Sequence, residues 1–315
     1  MTRRVLTFSA LLFLFFVVAS GVTDEEISGA LALFPEGHDI AVTLSEEGRT
    51  SLESAIETLE AALGVTVLFD HTDETAYMAL EVDLERKPWV NALSQAYYTW
   101  GDVFLQDVDS KKTAFVRGQY WGLKSLRMSP TFAAEELRHN FIDAVNQETD
   151  VPALFWTYGN WSRKDEYDPL GAIARNDPPK LLALAERAFE VDHAYADFAP
   201  YRALAGFWGG LPPIPLYAYG QDLPRVLSYI CPVLSSELEY CEACADCPVS
   251  DDVDEYFENR LILAEYFLME KKLWEDAAGV LQSIIDDEIG ERFALYNANS
   301  VERAQALLAE VSEHL

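Results

Sequence analysis

The spacing of apolar residues is the feature that most constrains this chain's fold. They recur at intervals of three or four residues through nearly all of the sequence after residue 50. This is the period of an α-helix that buries one face. Strand-like alternation is confined to weak segments at 65–69 and 77–82. The spacing therefore predicts an all-α protein. Representative stripes are Leu52, Ile56, Leu59 and Leu63; Trp89, Leu93, Tyr97, Trp100 and Phe104; Ala134, Leu137, Phe141 and Val145; and Tyr195, Phe198, Arg202 and Ala205.

The predicted helices come in pairs separated by short polar breaks. Several second helices carry small residues where a partner would approach closely, as in 114–130 and 181–195. We expect residues 50–315 to form a right-handed array of helical hairpins of the tetratricopeptide type, an α–α superhelix. A partly irregular segment at 21–49 precedes it. Segments 209–222 and 235–254 are expected to leave the array as loops, because the first is rich in Pro and Gly and the second is acidic.

The start of the chain has the pattern of a secretory signal peptide at residues 1–20. Arg3 and Arg4 precede an apolar run at 5–19, and small residues follow at the predicted cleavage site. The alternative is an uncleaved anchor helix, although the run is short for a membrane span. No cysteine precedes Cys231, so this start lacks a lipid-attachment cysteine. The pattern predicts export and a periplasmic location.

The formal net charge of −30 narrows the range of partners. A surface of this charge repels phosphate backbones, so nucleic acid is not expected to bind. Hydrophobic residues make up 50% of the chain, which is ample for a buried core and excludes general disorder. The negative charge is explained by solubility or adaptation to salt. The alternative is that it attracts a specific cationic partner.

The chain has four cysteines: Cys231, which precedes the second predicted loop, and Cys241, Cys244 and Cys247 within that loop. In an oxidising compartment an even number of cysteines favours disulfides that hold the loop. The alternative is a metal or iron–sulfur site, because thiolates three residues apart can converge on one ion. The fourth cysteine that a ferredoxin run places after Cys247 is missing.

Sequence signatures of catalysis are lacking. The five histidines are scattered, and no pattern of a serine hydrolase elbow, a phosphate-binding loop or a dinucleotide fold occurs. We therefore expect a protein that binds other molecules without catalysing a reaction, and that requires neither a cofactor nor a metal.

Aromatic residues are densest at 155–161, and a second group lies at 207–219. Any one of them is more often a core residue than a ligand contact. Together they could line an apolar groove for an amphipathic ligand. Gly159 and Asn160 are expected to interrupt the helix there, at the point where a cleft could open. The candidate lining residues are Phe155, Trp156, Tyr158, Asn160, Trp161, Trp208, Tyr217 and Tyr219.

Several of these segments together resemble a known family, the T component of tripartite ATP-independent periplasmic (TRAP) transporters. The likeness covers about residues 50–315. It is carried by Pro152–Trp161, Asp177–Asp192, Tyr195–Trp208, the run Gly220-Gln221-Asp222-Leu223-Pro224 and the tail at 257–308. The chain departs from the family in two respects. Members are often lipoproteins, whereas this start lacks the lipid-attachment cysteine, and the CEACADCP loop is not a family feature.

The resemblance implies a periplasmic helical-repeat protein that associates as a homotrimer with apolar-lined pores. It also implies that the chain engages the periplasmic solute-binding protein of a TRAP transporter and passes on an organic, apolar ligand. No catalytic residues come with the resemblance, and pore-lining roles fall on Trp156, Tyr158, Trp161 and Trp208. The alternative function is a general scaffold for protein–protein interaction in the cell envelope.

Overall fold

A computed structural model describes residues 21–35, 40–213, 217–234, 241, 248–250 and 252–315. Within these residues the chain forms fifteen α-helices and no strand, which confirms the predicted all-α helical repeat array. The helices are α1 (Asp24–Leu31), α2 (Glu46–Ala62), α3 (Glu74–Ala79), α4 (Lys87–Thr99), α5 (Val108–Met128), α6 (Pro130–Arg138), α7 (Phe141–Val145), α8 (Val151–Glu166), α9 (Pro169–Ala174), α10 (Pro178–Val191), α11 (Tyr195–Gly210), α12 (Leu223–Ile230), α13 (Phe257–Leu263), α14 (Trp274–Asp286) and α15 (Ala294–Ser312).

Two helices are extended by π-helical segments, in which the chain carries more residues per turn. Trp100–Phe104 continues α4, and Ala264–Met269 continues α13. Segments of this kind are rare and occur frequently at functional sites. The apolar spacing had predicted one regular helix through Trp100 and Phe104.

The starts of the helices follow from local sequence chemistry. The side chains of Ser45, Asp107, Asp150, Asp168 and Asp222 each accept a hydrogen bond from a backbone N–H in the first turn of the next helix. Each bond satisfies a donor that the helix itself leaves free. Proline in the first turn supports α4, α6, α8, α9, α10 and α12, because its ring presets a helical φ and no N–H is needed there.

Helix α8 lies at the centre of the array. Neighbouring helices pair as α1 with α2, α4 with α5, α10 with α11 and α14 with α15. Helix α8 packs against α4 and α5 on one side and against α10 and α11 on the other. It therefore joins the N-terminal helices to the C-terminal ones.

The two ends of the chain share one core. Phe293, Leu295 and Tyr296 of the C-terminal part pack into the core of the N-terminal helices. The hydroxyls of Thr99 and Tyr296 are hydrogen-bonded at 2.9 Å. The last helix is thus held against α4, some 200 residues earlier.

Several sequence expectations differ from the structure at helix ends. The predicted stripe through Leu137 and Phe141 is broken at His139, because the Asn140 side chain caps a new helix by accepting from the Asp143 N–H. Leu137 consequently lies 90% exposed. The predicted boundary at residue 50 falls inside α2, and α1 packs on α2, so part of 21–49 belongs to the helical array.

The predicted loop at 209–222 begins two residues too early, because Gly209 and Gly210 still belong to α11. The rest of it lies between α11 and α12, with residues 214–216 outside the described residues. Most of the predicted loop at 235–254 also lies outside them, and so does the whole predicted signal peptide. No helix in the part of the chain that the structure describes is both long and apolar enough to span a membrane.

Candidate functional site: a central cavity

A cavity of about 160 Å³ lies between α8 and the C-terminal helices. Its walls come from α4 with its π-helical segment, α8, α11, α13 with its π-helical segment, and α15. Cavities of about this size can hold a molecule the size of benzene. Both π-helical segments reach the cavity, through Asp102 and Tyr266 respectively.

One part of the wall is aromatic. Trp156 of α8 packs its indole against Tyr98, with ring centroids 5.5 Å apart, and against Phe155 at 4.9 Å. The Trp156 indole N–H donates to the Tyr195 hydroxyl at 2.9 Å, which fixes the ring orientation. Burial raises the pKa of the phenols of Tyr98 and Tyr158, so both stay neutral at physiological pH. This part of the wall suits an apolar or aromatic group.

Another part of the cavity wall is charged, because it is formed by ion pairs that link the surrounding helices. The Arg163 guanidinium lies 3.1 Å from the Asp102 carboxylate and donates to Glu166 at 3.2 Å. The Asn299 side-chain amide donates to the other Asp102 oxygen at 3.3 Å. Asp102 thereby joins the π-helical segment after α4 to both α8 and α15.

A second set of charges lies between α11, α13 and α15. The Arg303 guanidinium donates to Glu265 at 2.9 Å and lies 3.8 Å from Glu258. Glu258 is also 3.6 Å from the Arg202 guanidinium. These partners hold the guanidinium of Arg303 in its charged form, and its pKa is raised even though burial acts to lower it. The cavity therefore has an apolar wall beside a charged one.

Water reaches the charged side of the cavity. The protein surrounding Glu166 partly desolvates its carboxyl group and raises its pKa, yet 46% of its side chain is accessible to solvent. Both observations hold together because Glu166 faces the cavity and not packed protein. The cavity is thus an accessible site and not a sealed packing defect.

The backbone entering α11 is strained next to the cavity. Ala196, Asp197 and Phe198 have φ values of 46°, 53° and 63°, in the left-handed region that costs an L-residue roughly 1–2 kcal/mol. The Arg202 guanidinium donates to the carbonyl oxygens of Ala196 at 3.0 Å and Asp197 at 2.6 Å. Pro200 contributes as well, because its ring would clash with the carbonyl of residue 196 in a regular helix. The predicted continuous helix from Tyr195 is therefore wrong in its first turn.

The expected break in α8 at Gly159 is absent, because α8 runs without interruption from Val151 to Glu166. Gly159 does line the cavity, and the Tyr98 ring lies against its backbone. Asn160 points the other way, into the contact with α4, where its side-chain amide donates to the Ser94 carbonyl oxygen at 2.8 Å. Asn160 is therefore not part of the cavity wall.

Of the other predicted lining residues, Phe155, Trp156 and Tyr158 line the cavity and the rest lie elsewhere. Trp161 is buried beneath the ammonium groups of Lys164 and Lys180, each 5.4 Å from its ring. The remaining residues are near the loop after α11. There Trp208 is buried with the Arg225 guanidinium 4.1 Å above its ring, and the rings of Tyr217 and Tyr219 pack against each other at 5.7 Å.

Cys231 and Cys241 form a disulfide, and both are buried. Cys244 and Cys247 lie outside the described residues. Among the described residues no group of three or more His, Cys, Asp or Glu side chains is arranged to hold a metal ion. The disulfide thus links the 3₁₀ turn Cys231–Val233, directly after α12, to Cys241.

Sequence reasoning missed the charged half of the cavity: Asp102, Arg163, Glu166, Arg202, Glu258 and Arg303. In the sequence each is one charge on a helix among many, and acidic residues are frequent throughout. The available signal was an arginine on the apolar side of a predicted helix, as at Arg202 in the apolar stripe that begins at Tyr195.

No family model matches the chain, and a search of curated proteins also found no match.

Proposed function

We propose that this chain is a non-enzymatic accessory component of a TRAP transporter in the periplasm. In this proposal it holds a small, largely apolar organic molecule in its central cavity and binds the transporter's solute-binding protein. The observation that carries the ligand part is the cavity itself, an accessible space with an aromatic wall at the centre of the helical array.

Binding is favoured over catalysis by how the charged groups are used. The cavity arginines pair with neighbouring carboxylates or hold backbone carbonyl oxygens, as Arg163 and Arg202 do. Groups engaged in this way position helices and shape the site, whereas a catalytic acid or base needs a proton that it can exchange with a substrate.

The transporter part rests on the sequence resemblance over residues 50–315, and the all-helical repeat architecture is compatible with it. The resemblance placed its pore-lining roles on Trp156, Tyr158, Trp161 and Trp208. The first two line the cavity. Association as a trimer remains part of this proposal.

The ligand part is tested with the neutral probe 2-phenylethanol and a variant that fills the cavity. Gly206 lines the cavity, and a Cβ there would meet only the edge of the Tyr266 ring, at 3.8 Å. Gly206→Leu should therefore place a side chain in the cavity and abolish binding measured by isothermal titration calorimetry. The matched control is Gly279→Leu on α14, where a Cβ meets nothing within 4 Å. Failure of the unmodified chain to bind, or equal loss in both variants, would refute the ligand part.

The partner part is tested separately, by purifying the tagged chain from its own host and identifying proteins that accompany it. We expect a solute-binding protein of a TRAP transporter to co-purify. If a purified receptor of that class shows no association in analytical ultracentrifugation, the general scaffold becomes the better account.

A further inference from the structure

The charged wall of the cavity has more hydrogen-bond acceptors to offer than donors. Its lining includes four carboxylates, from Asp102, Asp165, Glu166 and Glu258, and three guanidiniums. Asp165 is committed to Lys164 and Arg175, at 3.1 Å and 2.9 Å. The charged groups that a ligand could contact are therefore the other three carboxylates and the three guanidiniums.

The guanidiniums are already engaged. Arg163 uses its two terminal nitrogens for Asp102 and Glu166. Arg202 donates to the Ala196 and Asp197 carbonyl oxygens and, at 3.2 Å, to the Asn259 side-chain oxygen. Arg303 donates to Glu265. Each guanidinium also has a carboxylate within 4 Å, so an incoming anion would compete with a negative charge that is already in place.

The carboxylates retain free acceptor capacity. An ionised carboxylate offers about four lone-pair positions. Glu258 is approached by its two arginines only at 3.6 and 3.8 Å, and no donor among the described residues lies within hydrogen-bond distance of it. Within the part of the chain that the structure describes, Glu166 receives donors only from Arg163, and 46% of its side chain is open to water. A ligand that donates hydrogen bonds would find both groups available.

Two further observations point to a positive charge on the ligand. The cavity is lined by Trp156 and by tyrosines, and aromatic rings of this kind attract cations. One of these rings, Tyr256, already has the Arg202 guanidinium 4.0 Å from its centroid. The whole chain carries a net charge of −30, which raises the local concentration of cations around it. An apolar body would lie against the aromatic wall while a positive head reaches the carboxylates.

Resting on the proposed ligand-binding function, we propose that the cavity selects an amphipathic organic cation: a protonated amine on a small apolar or aromatic body. Glu258 and Glu166 accept hydrogen bonds from its ammonium group, and the wall around Trp156 contacts the apolar body.

The test compares three probes of matched shape by isothermal titration calorimetry with the full chain: 2-phenylethylammonium, 2-phenylethanol and phenylacetate. We expect the ammonium probe to bind at least about tenfold more tightly than the alcohol, as a charge-assisted hydrogen bond provides. Phenylacetate should bind more weakly than the alcohol. An alcohol that binds as tightly as the ammonium probe overturns the cation proposal and leaves the proposed ligand-binding function standing. Absence of binding by all three probes overturns both.

Variants of the two carboxylates then test whether they cause the preference for the ammonium probe. Glu258→Gln and Glu166→Gln should each reduce the preference for the ammonium probe over the alcohol several-fold. A circular dichroism spectrum and a urea-unfolding midpoint close to those of the unmodified chain would show that each variant folds. The control is Glu190→Gln on α10, whose carboxylate is 64% exposed and pairs with Arg187 outside the cavity. An equal loss of preference in Glu190→Gln would assign the effect to overall charge and overturn the proposed site. So would an unchanged preference in both cavity variants.

Discussion

Helix α8 separates two regions in which the polar side chains have different partners. Where Ser94 of α4 and Gly118 of α5 meet it, α8 forms a closed contact, in which the Ser94 and Asn160 side chains bond to neutral partners and glycines allow the helices to approach closely. There the Ser94 hydroxyl donates to the Gly118 carbonyl oxygen at 2.9 Å, and the Asn160 amide donates to Ser94. Towards α11, α13 and α15 it forms the cavity, in which polar groups are ionised and water enters.

The difference lies in how much room each region leaves. In the closed contact a Cβ on Gly118 would overlap with Asn160, and one on Gly122 would lie 2.9 Å from the Thr157 Cα. On its other side the same helix lines the cavity with Trp156, Arg163 and Glu166, whose side chains border empty volume and not another helix. The closed contact should therefore determine stability, and the cavity should determine binding.

The largest effect is expected for Gly118→Ala. The added methyl group would overlap with the Asn160 side-chain oxygen and lie 2.7 Å from its nitrogen, and that amide is fixed by its hydrogen bonds to Ser94. We expect the free energy of unfolding in urea to fall by about 2–4 kcal/mol. Gly279→Ala, where the added group meets nothing, should instead gain up to about 1 kcal/mol from helix propensity. A loss of less than 1 kcal/mol in Gly118→Ala would mean that the contact is not closely packed.

The second effect concerns the ion pairs of the cavity. Arg163→Met leaves Asp102 and Glu166 without their guanidinium. In a sealed core this costs about 3–5 kcal/mol. Because 46% of the Glu166 side chain is open to water and Asp102 keeps the Asn299 amide as a donor, we expect a loss of about 1–2 kcal/mol in urea unfolding.

The control for this change is Arg138→Met, whose side chain is 69% exposed and pairs with Glu135 on the surface. It should cost less than about 1 kcal/mol. A loss in Arg163→Met above about 3 kcal/mol would show that the cavity behaves as a sealed core.

A smaller effect, dependent on pH, is expected at Glu60 in the N-terminal core. This buried carboxylate accepts from the Tyr97 hydroxyl at 2.8 Å and the Trp121 indole at 3.3 Å. Burial raises its pKa above the ordinary value of 4.5. The folded chain therefore binds this proton more tightly than the unfolded chain, and stability falls as pH rises from 4.5 through the raised folded pKa.

Glu60→Gln keeps a side-chain acceptor for both donors and removes the charge. Urea unfolding should show it to be more stable than the unmodified chain above that pH window, by less than the loss expected for Arg163→Met. The difference should shrink below pH 4.5. Glu53→Gln, an exposed position on the same helix, should show no such dependence on pH. A stability difference that does not change with pH would contradict the assignment.

The smallest effect is expected for Gly159→Ala, on the cavity side of α8. Its methyl group would meet the Tyr98 ring at 3.1 Å, and that ring can shift towards the cavity that it lines. The gain in helix propensity offsets the crowding, so the free energy of unfolding should change by less than about 1 kcal/mol. A loss as large as that of Gly118→Ala would erase the difference between the two sides of α8.

Part of the candidate site could be predicted from sequence. Phe155, Trp156 and Tyr158 were identified because aromatic residues cluster in that helix, and all three line the cavity. Trp161 and Asn160 belong to the same cluster but face away, because successive residues of a helix point in different directions. The left-handed turn at Ala196 could not be foreseen, since the Arg202 and Pro200 contacts that accompany it depend on the folded chain.

Local physics determined much of this protein from its sequence alone: the all-α class, most helix starts through their capping residues, and which face of each helix is apolar. These properties depend on residues a few positions apart, so they can be read without knowing the fold. Which helix faces meet around the cavity was decided only by the tertiary structure. Asp102, Arg163 and Asn299 converge because three distant helices pack together, and no spacing along the chain encodes that meeting.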